Sequence, residues 1–259
     1  MDKPCVIEET DNYAVVFKPA KMHSESIHSE SLAKEFSQRS KLLSRSILGA
    51  KDAESETIYD WYFKYSGFNE NIKLMHRLDY ETNGLVLFAR NEKSFNFFKD
   101  LQDRGEFIKE YSAICEPTGA DKTDDGFPDN SFALSAFNIG GKNFTIESYF
   151  RPYGKGRKLV RPVIEDGKKH KEIAKDKNGF YKTDIININD NIFTVQIKRG
   201  FRHQIRCHLC WIGFPILNDP LYPFGAAQNQ DFLALRSHAL FFADPVSKEK
   251  RECRISPIN

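Results

Sequence analysis

Residues 76–89 read HRLDYETNGLVLFA. The second half, Gly84 to Ala89, is a short apolar run with a glycine at its head, the pattern of a buried strand. The first half is polar and places a carboxylate, Asp79, two residues after Arg77. Glycine tolerates backbone shapes other residues avoid, so Gly84 suggests a turn that leaves Asp79 exposed at a sheet edge. A carboxyl with an unperturbed pKa of about 3.9 is ionised at neutral pH, which suits a nucleophile or a base. Spacing alone favours a surface aspartate that caps a turn.

Working outward, residues 13–17 (YAVVF) read as a strand stopped by Lys18-Pro19, and 23–31 as polar loop. Leu32, Phe36, Leu43 and Ile47 recur at near-helical spacing, and a second helical stretch runs from Thr57 to Tyr65. The segment GAKDAESE between them reads as a linker. A helix is expected over 92–104, with Phe95, Phe98 and Leu101 on one face and Gly105 as its stop. Strands are expected at 111–115, near 132–138 and 144–150, at 180–188 and at 192–199, with a Gly/Asp-rich loop over 119–130. Residues 153–178 hold nine Lys/Arg against four Asp/Glu. They read either as a solvated insertion or as an arm that touches phosphate. The elements lack a strict βαβ rhythm. The expected class is therefore α+β, with a largely antiparallel mixed sheet flanked by helices and loops, in one domain over 1–259.

The second informative stretch is 199–213, RGFRHQIRCHLCWIG. A helix from Arg202 to Ile212 would carry an apolar stripe of Ile205, Leu209 and Ile212. His203 and Arg206 would share another face. Arg199, Arg202, His203 and Arg206 gathered at a helix start suit an anion, whether a phosphate or a carboxylate such as Asp79. A solvated basic face is the alternative. Cys207 and Cys210 form a C-x-x-C inside this helix. Redox pairs of that kind begin a helix, and zinc needs two more ligands, so buried structural thiols are expected.

Composition narrows the rest. The 38 Lys+Arg against 36 Asp+Glu leave a net charge of +2, too small to argue for nucleic acid unless the basic residues cluster. No apolar run approaches the roughly 20 residues of a membrane helix, and no signal-peptide pattern opens the chain. Five scattered cysteines fit reduced thiols in a cytoplasmic protein. Phosphate-binding glycine loops and serine-hydrolase elbows are absent.

Taken in order, these segments resemble the RluA-type family of pseudouridine synthases. HRLDYETNGLVLFA resembles that family's H-R-L-D-x-x-T-S-G-L-L-L-x-A signature. RHQIRCHLCWIGFPILNDPLY (202–222) is similar to its H-Q-I-R-x-H-L-x-x-x-G-x-P-I-x-G-D-x-x-Y segment. Phe17-Lys18-Pro19, Lys109-Glu110-Tyr111 and LALRSHALFFADP (233–245) match shorter elements. The resemblance implies the pseudouridine synthase catalytic fold, standing alone without an S4-type domain. It implies Asp79 as the catalytic aspartate, Arg206 as its partner, Tyr111 packed on the uracil, and Arg77 helping to displace the target base. His203, Gln204, Ile205, Arg202, Arg199, Lys18 and His76 are the expected substrate contacts. Ribosomal or transfer RNA is the expected partner of a monomer, with no metal, cofactor or membrane. The helical segment 32–66 and the basic 153–178 are the expected sources of extra grip on RNA. The pattern departs at Lys21 and Asn218, where glycine is usual, at Asn83 (usually Ser), at Phe201 (usually Arg) and at Arg236 (usually His).

Overall fold

The computed structural model describes residues 2–25, 56–117, 127–128, 143–164, 179–222 and 232–258. The expected helix over 32–47, the strand near 132–138, nearly all of the 119–130 loop and the second half of the basic arm lie outside those residues.

The strands are β1 (Cys5–Glu9), β2 (Tyr13–Lys18), β3 (Lys73–Leu74), β4 (Asn83–Ala89), β5 (Ile108–Ile114) and β6 (Phe144–Tyr153). They continue with β7 (Leu159–Val163), β8 (Tyr181–Asn189), β9 (Ile192–Ile197), β10 (Leu235–Ala243) and β11 (Lys250–Arg254). They form one sheet in the order β1-β2-β4-β10-β5-β9-β8-β6-β7, with β3 beside β4 and β11 beside β10. Every pairing is antiparallel except β4 with β10. The class is α+β, as expected.

β4 explains its own apolar run. Val86 and Phe88 face one cluster with Ala14, Val16 and Tyr62. Leu85 and Leu87 face another with Tyr13, Phe98 and Phe107. With both faces covered, a strand reads as continuously apolar rather than alternating. Helix α1 (Ile58–Tyr65) covers the first face and α2 (Glu92–Arg104) the second. Thr57 caps α1 through a reciprocal box with Asp60. Gly105 ends α2 in the left-handed conformation, as its sequence promised.

The parallel β4/β10 contact is only two pairs long, Asn83 with Arg236 and Gly84 with Ser237. It joins the β1-β2-β4 side of the sheet to the rest. Gly84 has φ +129, and a Cβ there would lie 2.2 Å from the Ser237 carbonyl oxygen. The glycine therefore serves close strand approach, not a turn, and β4 is interior to the sheet. This corrects the expectation of a sheet edge beside Asp79. Arg236 Nε donates to Asn83 Oδ1 at 2.7 Å across the same seam. Two of the family departures thus answer one another.

Two further differences concern α3 (Gln204–Trp211). It starts two residues later than expected, because His203 takes a left-handed φ of 58. All eight of its residues are buried, so no solvated basic face exists. Strands β1, β3, β7, β10 and β11 were not foreseen. The five cysteines are free, and Cys207 and Cys210 are buried within α3 as expected. Among the described residues, no helix is long and apolar enough to cross a membrane.

Candidate active site

Asp79 sits in a tight turn closed by a Thr82 N–H to Asp79 carbonyl bond of 3.1 Å, one turn before β4 and the seam. The residue before it is pinned from outside. Ser24 Oγ donates to the Leu78 carbonyl at 2.9 Å and accepts from the Leu78 N–H at 3.0 Å. The Asp79 side chain keeps 23% of its surface exposed.

Arg206 reaches it from α3. Its guanidinium is wholly buried and makes a two-toothed pair with Asp219, Nε to Oδ2 at 2.8 Å and Nη2 to Oδ1 at 2.7 Å. Nη1 is left for two other carboxylates, Asp79 Oδ2 at 3.3 Å and Glu81 Oε2 at 3.2 Å. Burial opposes the arginine's charge, yet Asp219, Asp79 and Glu81 together raise its pKa above the ordinary value, so it stays protonated. Planar, two-toothed pairing is what fixes a guanidinium's direction. Asp219 therefore aims Arg206, and Arg206 holds Asp79.

Tyr111 lies on β5, opposite Ser237 of β10, and is buried. Burial and the nearby Asp79 charge push its phenol up, so it remains protonated. Ile205 packs in the same apolar cluster. His203 stands 3.4 Å through Nδ1 from the Tyr222 hydroxyl. Burial lowers its pKa, against the pull of Asp79 and with Arg206 and Arg202 assisting.

The profile of the family described as RNA pseudouridylate synthase matches residues 12–211, a span that takes in Asp79, Tyr111 and Arg206. The chain belongs to the RNA pseudouridylate synthase family. A Bacillus subtilis protein named as an uncharacterized RNA pseudouridine synthase, YjbO, is 26% identical over 73% of this chain and 56% of its own length. The ribosomal large subunit pseudouridine synthase C of Rickettsia typhi is 30% identical over 62% of this chain and 44% of its own. The chain thus spans about half the length of these curated relatives. A human structure titled RNA pseudouridylate synthase domain containing 1 superposes with a TM-score of 0.58 at 16% identity, covering 98% of this chain and 84% of that one. That likeness speaks for the fold.

The pseudouridylate synthase fold here sorts the expected site residues into two groups. Asp79, Arg206, Tyr111, Ile205 and His203 come together. Arg77 projects from the same turn, 74% exposed, with Glu25 at 4.0 Å. The others are tied up in bonds within the chain. Lys18 is fully buried and donates to the carbonyls of Pro19, Met22 and Tyr80 at 2.9, 2.7 and 3.5 Å. Burial brings its pKa down to about 7 despite Asp79 and Glu81. Gln204 accepts from the Phe201 N–H and donates to the Lys182 carbonyl and Thr183 Oγ1. His76 accepts the Leu87 N–H at 3.2 Å and packs on Phe107. Lys18, Gln204 and His76 therefore brace the chain where substrate contacts were expected. Arg199 and Arg202 donate to the carbonyls of Asp103 and Arg157. Phe201, the departure from arginine, stacks on Phe150 at 5.1 Å and 4°.

Sequence reading passed over Asp219, Glu81, Tyr222 and Ser24. One signal was available for Asp219. It stands before Pro220, and its Oδ1 accepts the N–H groups of Leu221 and Tyr222, the habit of an aspartate that opens a turn.

Proposed function

We propose that this chain isomerises uridine to pseudouridine in structured ribosomal or transfer RNA, with Asp79 as the catalytic residue. One observation carries the reading beyond family membership. A partly exposed carboxylate is held by a buried guanidinium whose own position is set by a different carboxylate. Such a carboxylate is oriented, yet open to a substrate.

The reaction breaks the N1–C1′ bond and forms C5–C1′; C5 gives up its hydrogen and N1 gains one. It has no net redox change and calls for no cofactor. A uridine within folded RNA must first be flipped out, at a cost of a few kcal/mol. Arg77, exposed and lightly held, would fill the gap the base leaves. Tyr111 offers its ring to the uracil, and Ile205 flanks it. Asp79 then serves glycosidic cleavage by attack on the sugar, by attack on the base, or by proton removal at the sugar. All three routes begin from the carboxylate that Arg206 holds.

The Rickettsia relative's name makes ribosomal RNA the first pool to assay. Bulk RNA labelled with tritium at uridine C5, from cells lacking this protein, is incubated with the wild-type chain. Tritium release from the ribosomal or transfer fraction is the expected result. No release from either fraction would overturn the proposal.

A further inference from the structure

Two exposed rings stand at the mouth of the site, and the chemistry above leaves them unused. Tyr80 directly follows Asp79 and is 39% exposed. Its ring centroid lies 4.6 Å from that of His23, itself exposed, at a tilt of 39°. A lone exposed tyrosine is ordinary. This pair differs because both backbones are fixed. The buried Ser24 side chain ties the residue after His23 to both backbone polar groups of Leu78. The His23 carbonyl accepts from the Ile58 N–H at 2.9 Å, anchoring it to the start of α1. Tyr80 rides on the tip of the turn that Thr82 closes. Neither ring belongs to the apolar core clusters. From the same turn, Arg77 holds its guanidinium in solvent.

We propose that Tyr80 and His23 form a stacking platform for an unpaired nucleobase next to the target uridine. The inference rests on the synthase reading above and narrows its substrate class to uridines with an unpaired neighbour, as in loops and bulges. Flipping the target removes one stacking partner from the adjacent base. A pre-positioned aromatic surface beside the entry replaces that partner with little loss of side-chain freedom. Every base has a π-face, so the platform selects for an unpaired neighbour rather than for its identity.

The test pairs turnover with binding. KM and kcat are measured on the C5-tritiated RNA. Quenching of a single-stranded heptaribonucleotide carrying 2-aminopurine beside uridine reports stacking directly. Tyr80→Ala and His23→Ala should each raise KM about tenfold and abolish quenching, with kcat reduced less than about threefold. Tyr80→Phe, which keeps the ring, should quench like wild type. Wild-type KM and quenching in both alanine variants would overturn the platform. A Tyr80→Phe defect equal to that of Tyr80→Ala would do so too, by assigning the effect to the hydroxyl. Quenching by wild type with no tritium release from any RNA would sink the synthase reading and leave the platform standing. Release without quenching would do the reverse.

Discussion

The sheet carries a buried ionic network on each side of β5, and the two are built differently. Glu110 accepts from Gln196 Nε2 at 2.7 Å and Arg254 Nη1 at 2.9 Å, with His238 Nε2 at 3.0 Å. Every bond ends on one carboxylate. Led by His238, these contacts hold its pKa down to about 2 against burial. On the other side Arg206 is the hub. Its bonds to Asp219 are short, while its remaining nitrogen is divided between Asp79 and Glu81 at 3.2–3.3 Å. Closed networks of charge hold a fold in register. The Arg206 network is closed at one end only, and its open end carries Asp79, the proposed reactive group. Equal chemistry thus gives a brace in one place and a site in the other.

The largest effect should come from cutting the closed end of the Arg206 network. Asp219→Ala leaves a buried guanidinium short of its main partner and should cost about 3–5 kcal/mol in a urea melt, along with activity. Replacing both partners, Arg206→Met with Asp219→Leu, should recover much of the stability and none of the activity. If the double variant released tritium, Arg206 would be a brace and the comparison would collapse. Glu110→Gln should cost less, about 1–3 kcal/mol, and leave turnover within about twofold of wild type. A large loss of turnover there would show that the two sides are not separate in role.

His208, also on α3, gives a smaller and pH-dependent effect. Its ring nitrogens lie 2.8 Å from Thr183 Oγ1 and 2.9 Å from Ser148 Oγ, and burial pushes its pKa down to about 3. The unfolded chain therefore binds one more proton between pH 6.5 and about 3. Stability from this group is complete above pH 6.5 and falls on acidification, with a slope of up to about 1.4 kcal/mol per pH unit. His208→Gln should flatten that slope in melts between pH 6 and 4. An unchanged slope would mean that His208 is already charged in the native state.

Much of the site was legible because sequence order matched it closely. Asp79 and Arg206 lie in the two long motifs, and Tyr111 in a short one. The helix over 92–104 announced itself through a periodic face and a stop glycine, and Thr57–Tyr65 through its helical pattern alone. What could not be read was partnership across the sheet. Arg206 looks solvated on a helical wheel, because a wheel does not know that Asp219 folds back over it thirteen residues later. Gly84 looks like a turn because only the structure brings Ser237 within 2.2 Å of its missing Cβ. Lys21 and Asn218 looked like departures from glycine, and both do hold left-handed φ values of 58 and 61. The backbone requirement persists there although the glycine is gone. β10 was missed as a strand because its burial is nearly continuous and lacks alternation.

In the proposed reaction Asp79, held by Arg206, carries the chemistry. The most direct test is the C5-tritium release rate of Asp79→Asn beside wild type on the same RNA, with urea midpoints measured in parallel. Asparagine keeps the shape and removes the charge. A fall of at least about a hundredfold with the fold intact is expected. Release within about threefold of wild type would place the catalytic group elsewhere.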